Sequence, residues 1–302
     1  MTASAQAPPG PGAVVVTGAS SGIGRACALH LAACGFRVFA GARSGSDRAA
    51  LAEAGGGRIE PIQLDVTDPA QIGAAARAVD GAVGEDGLAG LVNNAGIAEP
   101  GMLEFLPLDA LRRQLEVNVT GLVAVTQAFL PLLRRRRARS PDAPVRIVHV
   151  GSASGYLASP LVGAYNASKF AVEGLADTMR QELRPWRIDV SLVEPGAIQT
   201  PIFEKSDAEA EVHLEKLPEE ARALYAPFVE AIRASVARRL RDAKPASTVA
   251  RAVEHALTAG RPRTRYRVGV DATVQRALAR WLPDRARDAV LARFLGLPRR
   301  LP

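Results

Sequence analysis

Tyr165 and Lys169 stand four residues apart in the stretch YNASK, within an apolar-periodic segment that runs to about Arg184. On a helix this spacing sets a phenol and an ammonium on one face. A phenol titrates near ~10 when unperturbed and a neighbouring cation favours its ionised form, so the pair suits proton exchange near working pH. The same spacing also occurs on ordinary solvated helices, and it carries chemistry only if other elements aim at it. Two more polar residues sit in telling places: Ser152, at the end of the β-rich run VRIVHVGSASG, and Asn118, in EVNVTG. A mid-helix Asn competes with the backbone, so Asn118 is either an exposed polar residue or one placed at a helix distortion that holds a water.

The elements that must position these residues follow in order. AVVVTGASSGIGRACALHLAACGF reads as a strand, a glycine turn through Gly18, Gly22 and Gly24, and a helix. That unit opens a doubly wound nucleotide fold, because bare N–H groups at a helix N-terminus accept a pyrophosphate. The spacing is TGxxxGxG, not GxGxxG. RVFAGAR gives a second strand ending at Ala42 and Arg43. A carboxylate there would bind the ribose hydroxyls of NAD, whereas an Arg accommodates the 2′-phosphate of NADP; the acid is missing and Arg43 is present, either as that ligand or as a solvated strand-end cation. RIEPIQLDVTD is a third strand with Asp65 at its end, in contact with the adenine or capping the turn with Asp68 before a helix over 69–82. LAGLVNNAG is a fourth strand running into Asn93, and a long helix is expected over 109–137, with Pro131 near its end. RIDVSLVEPGAIQTPI is a sixth strand with a turn at Pro195 and Gly196, and RTRYRVGV is a last one. Strands spaced by helices of this length pair in parallel and gather their loops at one edge. The fold expected is α/β, a Rossmann-type doubly wound parallel sheet of about seven strands with helices on both faces.

Composition narrows the alternatives. The chain has 302 residues, 48% hydrophobic, enough for one sizeable core. Residues 1–12 read as a disordered leader, 13–270 as the catalytic domain, 201–244 as a helical lid inserted past the sixth strand, and 271–302 as a basic amphipathic tail. No secretory h-region and no uninterrupted apolar run of ~18 residues is evident, and a cytoplasmic setting is expected. Cys27 and Cys34 read as small core-facing hydrophobes, and the four histidines lack metal-ligand spacing, so no metal is expected. Formal charge is +7, yet residues 261–302 alone carry +8. Basicity is a property of the tail, which argues against nucleic acid as a partner of the main domain.

TGASSGIG, NNAG, the Asn in VNVTG, Ser152, YNASK and the PG turn at Pro195 together resemble the motif set of the classical short-chain dehydrogenase/reductase family, over about residues 12–200. Some segments, VEPGAIQTPI and PRTRYRVGVDA, look similar to retinol and hydroxysteroid dehydrogenase-like members. The resemblance implies Tyr165 as general acid/base, Lys169 lowering its pKa and binding the nicotinamide ribose, Ser152 donating to the substrate oxygen, and Asn118 holding a water. It implies a dinucleotide held by Gly18, Ser20, Ser21, Gly22, Ile23 and Gly24 at the pyrophosphate, by Asp65 and Val66 at the adenine, and by Asn93, Ala95 and Gly96 on the adenosine side. Pro195, Gly196, Ile198 and Thr200 would hold the nicotinamide end, with NADP(H) preferred and NAD(H) possible, in a homodimer or homotetramer.

Hydride transfer to a carbonyl develops negative charge on oxygen, which two oriented O–H donors stabilise. Ser154, Leu161, Ile202 and Phe203 are expected to line an apolar substrate site suited to a lipophilic alcohol or carbonyl, steroid-, retinoid- or fatty-type. The tail either packs on the core or a neighbouring subunit, or rests on an anionic membrane surface. The alternative function is a non-catalytic cofactor sensor or scaffold on the same fold. Such a protein has no need of Ser152, Tyr165 and Lys169 together.

Overall fold

The computed structural model describes residues 11–298. The first ten residues of the expected leader and the last four of the tail lie outside the described residues. Seven strands form one sheet in the order β3-β2-β1-β4-β5-β6-β9: β1 Ala13–Val16, β2 Arg37–Ala42, β3 Ile59–Gln63, β4 Gly90–Asn93, β5 Arg146–Val150, β6 Asp189–Pro195 and β9 Arg265–Val268. Every neighbouring pair is parallel. Alternation along β1 explains the two-sided core. Val14 and Val16 join one buried cluster, with Leu31 of α1 (Gly22–Ala33), Leu51 of α2 (Gly45–Ala54) and Val253 of α9 (Ala246–Thr258). Val15 joins the other, with Val79 of α3 (Pro69–Val83) and Phe129 of α5 (Gly121–Arg139). Strand order reverses between β1 and β4, which places the ligand crevice at their C-terminal ends.

The long helix departs from its expected form. It runs as α4 (Leu108–Leu115), a π turn over Glu116–Thr120, and α5, which continues through Pro131 to Arg139. A π turn inserts one extra residue into the helical ladder and is found most often at functional positions; here it is centred on Asn118, whose amide is drawn out of the helix by partners described below. The whole stretch Leu108–Arg139 is long and apolar enough to cross a membrane by composition alone. Its apolar residues have a use in the fold, since Val125, Phe129, Leu132 and Leu133 are buried under the sheet.

Past β6, two short strands, β7 (Ile198–Gln199) and β8 (Lys244–Pro245), pair in parallel and clasp the base of the lid. Between them lie α7 (Ile202–Glu215) and α8 (Glu219–Arg241), and after β9 come α10 (Val270–Trp281) and α11 (Asp284–Leu295). The tail helices each bury one residue, Ala272 and Leu295, while Trp281 and Phe294 are 76% and 61% exposed. Cys27 is buried as expected, but Cys34, at the C-cap of α1, is exposed.

Candidate active site

The glycine turn is built for close approach. Gly18 and Gly22 have φ of +63° and +54°, a region that other residues avoid. A Cβ on Gly24 would lie 2.1 Å from the Gly18 carbonyl oxygen, so α1 can start against the turn only with glycine there. Ser21 is extended at the N-cap and makes no side-chain cap bond, which leaves the first N–H groups of α1 available to an anion. This cradle fits a dinucleotide pyrophosphate. Ser20 and Ser21 stand at its half-buried rim, while Ile23 packs against the core.

Sequence reasoning missed what fixes the turn. Asn94 Nδ2 donates to the carbonyls of Thr17 (3.0 Å) and Gly18 (3.2 Å), and Thr17 Oγ1 accepts the N–H groups of Asn94 and Ala95, both at 2.9 Å. The second Asn of NNAG was the available signal. The first one does something else: Asn93 is buried, and its Nδ2 donates to Thr126 Oγ1 (2.8 Å) and faces His149 Nδ1 (3.2 Å). The amide of Asn93 is therefore a strut inside the sheet and not a group for the adenosine. His149 belongs to the same interior, where burial, and then the charge of Lys169, lowers its imidazole to about 4.

Other expected cofactor residues are placed as follows. A Cβ on Gly18 would meet Ala95 Cα at 2.8 Å, and one on Gly22 would meet Thr200 Cβ at 3.2 Å, so the turn, the NNAG loop and the segment after β6 converge. Gly96 lies beside Asn118 Oδ1, 3.3 Å from where its Cβ would be. Pro195 ends β6, and Gly196 N donates to Val268 O at 2.9 Å. Ile198 and Val66 turn their side chains into the two core clusters, leaving only main chain to a ligand. Asp65 Oδ1 accepts the N–H and hydroxyl of Thr67 at 3.0 and 2.8 Å, and Asp68 caps α3 through Ala70 and Gln71. Arg43 is exposed at the end of β2, and its carbonyl accepts Arg48 Nη1 at 2.9 Å, which brings a second cation to that rim. Spacing alone did not point to Arg48.

The proton-handling residues meet on α6 (Gly163–Glu182). Ser152 follows β5, and its Oγ accepts Ser154 N at 3.1 Å; its hydroxyl is close enough to Tyr165 to draw the phenol's pKa down. Lys169 is buried, its Nζ 5.7 Å from the Tyr165 ring centre and donating to Val150 O at 2.9 Å. The expected drop in the phenol's pKa is not found in the protein alone. Burial pushes Tyr165 up, opposed by the Ser152 hydroxyl, and burial brings Lys169 down to about 8. The ammonium lies near the ring and is bonded to a carbonyl, so desolvation decides the direction.

Asn118 bridges two elements. Its Oδ1 accepts Ile97 N (2.9 Å), and its Nδ2 donates to Ile97 O (3.1 Å) and Ser168 Oγ (3.0 Å), while Ser168 Oγ donates to Tyr165 O (2.7 Å). Both amide hydrogens are used, so the side-chain amide is not a water's donor. Gln114, four residues earlier and fully buried, repeats the motif by donating to Ile97 O at 2.8 Å and accepting Glu99 N at 2.7 Å. A polar pair at i and i+4 on an otherwise core-facing helix was the sign of it.

The lid forms an apolar roof. Leu161, a non-glycine residue at φ +63°, lines two lid cavities, one with Met102, Phe105, Leu214 and Val229, the other of about 630 Å³ with Leu103, Phe170, Tyr225 and Phe228. Ile202 and Phe203 are half-buried in the first turn of α7 and line neither, and Ser154 lies on the loop after β5. Both cavities take their apolar lining from the far end of α7, from α8 and from residues 101–106, and neither is lined by Ser152 or Tyr165. A cavity of about 690 Å³ at the opposite edge of the sheet is lined by Arg137, Arg146, Arg184 and Arg187 and does not approach Tyr165. Folding also brings His30, Cys34 and Glu254, and separately Glu99, Glu209 and His213, within ligand reach of one another, which their sequence positions hid. In both groups a side chain is already engaged: His30 with Glu254 at 3.0 Å, and Glu99 with Arg113 at 2.7 Å.

Comparison with known proteins agrees with this geometry. The sequence model of the short chain dehydrogenase family matches residues 12–211. The chain is 38% identical over 291 residues to retinol dehydrogenase 5 of Mus musculus, covering 94% of this chain and 89% of that one. It is 32% identical to the NADPH-dependent 3-dehydrocapnine reductase of Ornithobacterium rhinotracheale, with 93% and 96% covered. Among solved structures, a short-chain dehydrogenase from Streptomyces avermitilis superposes with a TM-score of 0.71 at 29% identity, over 96% of both chains. With the family model matching residues 12–211 and these relatives covered nearly end to end, the protein belongs to the short-chain dehydrogenase family, near its retinol dehydrogenase-like members, as an NAD(P)-dependent oxidoreductase of CH–OH groups.

Proposed function

We propose that this enzyme prefers NADP(H) and interconverts a lipophilic alcohol with its ketone or aldehyde, with Tyr165 as the general acid/base. The observation that carries the reading is buried Lys169 with its Nζ 5.7 Å from the Tyr165 ring centre, on a helix packed beside the Ser152 turn and in the same chain as a cradle fit for a dinucleotide. The bound nicotinamide supplies or accepts the hydride. Tyr165 gives or takes the proton at the substrate oxygen, and Ser152 holds that oxygen with a second O–H donor. Lys169 keeps a positive charge below about pH 8 and so favours the phenolate when the phenol gives up its proton. Asn118, through Ser168, fixes the first turn of α6, and with it Tyr165.

Arg43, in place of a carboxylate at the end of β2, and Arg48 beside it support the preference for a 2′-phosphate, as does similarity to a reductase named as NADPH-dependent. A charge-assisted bond to phosphate contributes about 1.5–3 kcal/mol, a tenfold effect or more. The apolar lid lining and similarity to a retinol dehydrogenase support a lipophilic substrate. Free thiols at Cys27 and Cys34 are in keeping with a cytoplasmic setting, and a homo-oligomer follows from the family resemblance. Nothing observed favours a non-catalytic sensor. Initial rates on lipophilic and small polar carbonyls and alcohols, with each cofactor, test the reading; equal rates with both cofactors, or turnover confined to small polar substrates, would refute its finer parts.

A further inference from the structure

Glu194 is fully buried in β6, one residue before the Pro195–Gly196 turn, yet neither of its carboxylate oxygens has a conventional hydrogen-bond donor. Its nearest cation is Arg265 of β9, with Nε 3.3 Å from Oε1. The same guanidinium binds two carboxylates of α6, Glu173 Oε2 at 3.0 Å and Asp177 Oδ2 at 2.9 Å. The other oxygen of Glu173, Oε1, is also buried without a donor, so one guanidinium holds two carboxyl groups that between them leave three buried oxygens unpartnered. Ionised carboxylates only accept, so two of them gathered under one cation can satisfy each other only when one carries a proton.

We propose that Glu173 and Glu194 share a single proton beneath Arg265, and that this clamp positions the catalytic helix against the turn that faces the nicotinamide end of the cofactor. The proposal rests on the reading of the site given above. Placement supports it. Tyr165, Lys169 and Glu173 recur every four residues on one face of α6. The Ser152 turn rests on that face, since a Cβ on Gly155 would meet Lys169 O at 3.0 Å and Glu173 Cγ at 3.2 Å. One buried group thus touches the helix carrying the phenol, the loop carrying the serine, and the strand leading into the cofactor turn. These three are positioning residues: none touches the reacting atoms.

The charged and titratable groups facing Glu194 are Glu173 and Asp177 from α6, Arg265 and Arg267 from β9, Arg276 from α10, and Tyr156, whose hydroxyl donates to Ala272 O at 2.7 Å. Burial first, and Glu173 second, push the Glu194 carboxyl up to about 7, against the pull of Arg265 and Arg276. A carboxyl whose folded value is raised takes up its proton more readily in the folded chain. The stabilisation is complete below the ordinary Glu value, near ~4.3, and is lost as pH rises to about 7.

The test is thermal melting of the full chain between pH 5 and 8, together with NADPH binding followed by its fluorescence, in wild type and in Glu194→Gln, whose amide imitates the protonated carboxyl. The expected result is a melting-temperature difference, wild type minus variant, that falls across this window, with NADPH affinity weakening severalfold more in wild type. A difference that stays constant with pH would overturn the proposal. If Glu194→Gln does not fold, Glu173→Gln replaces it with the same expectation, and failure of both to fold also overturns the proposal, because an amide must be tolerated where a proton is shared. Melting requires neither substrate nor cofactor, so wild type that binds no NADPH at any pH would count against the functional reading while the melting comparison still decides the clamp.

Discussion

The floor of the site and its roof are built on opposite principles. The floor, at the C-terminal ends of β1, β4, β5 and β6, is dense in buried polar groups, among them Asn93, Gln114, Asn118, His149, Ser168 and Lys169, and each has at least one protein partner, though Asn93 Oδ1 and His149 Nε2 are left without one. The roof buries no residue of α7 and only Ala221 and Ser235 of α8. Hydrogen bonds among buried groups hold the side chains they join, so the floor keeps its reacting groups in place while the roof, with few buried residues, stays free to open and to vary. Chemistry is assigned to the rigid part and selectivity to the loose one.

Substitutions can break this division or sharpen it. Tyr165→Phe has the largest expected effect: turnover falls by about 10²–10⁴ or more, with dinucleotide binding by fluorescence nearly unchanged, and substantial residual turnover would remove the tyrosine from its role. Lys169→Met also abolishes turnover, yet it raises stability at neutral pH, because a buried cation with its value lowered to about 8 is carried at a cost. That gain is on the order of 1–3 kcal/mol by urea unfolding, reduced by the unpaired Val150 carbonyl. Between about pH 8 and the ordinary ~10.4 the unfolded chain binds the extra proton, so wild-type stability rises and the gap closes. Asn118→Leu strands Ile97 and Ser168 and costs about 1–3 kcal/mol by the same measurement; a neutral result would mean that the floor is not a connected network. Arg43→Ala, at the exposed rim, raises KM for NADPH about tenfold with little change for NADH and none in stability. The smallest effect falls on the roof. Leu214→Ala changes KM for a lipophilic substrate by no more than about tenfold and leaves kcat alone, and a collapse in stability instead would show the roof to be part of the core.

The floor was legible in the sequence to the extent that its residues stand next to recognisable turns. Gly18, Gly22 and Gly24, Ser152 and the Tyr165–Lys169 pair were all found in a convergent place, since their spacing follows directly from strand, turn and helix periods. Side-chain direction was not legible. Asn93 and Asn94 are neighbours, and strand alternation sends one into the sheet and the other onto the glycine turn, a distinction that the NNAG motif alone does not reveal. The fall expected for the Tyr165 phenol failed for a related reason: proximity to Lys169 could be inferred, whereas burial could not. On the roof, Ile202 and Phe203 stand in the first turn of α7 outside the two lid cavities, which Leu214, Tyr225, Phe228 and Val229 line, because the angle of α7 and α8 depends on tertiary contacts such as Phe105 against Tyr225.

The apolar helix 108–139 also sets an order of events during synthesis. It leaves the ribosome before β5, β6 and β9, so Val125, Phe129 and Leu133 emerge when only the β1–β4 half of their hydrophobic surroundings exists. For the time needed to translate about fifty residues, at 5–20 per second on the order of several seconds, the nascent chain carries this apolar stretch without the two strands that help to cover it in the fold. Arrival of Ile147 and Val190 on the next two strands supplies the rest of the cluster in which these side chains are buried.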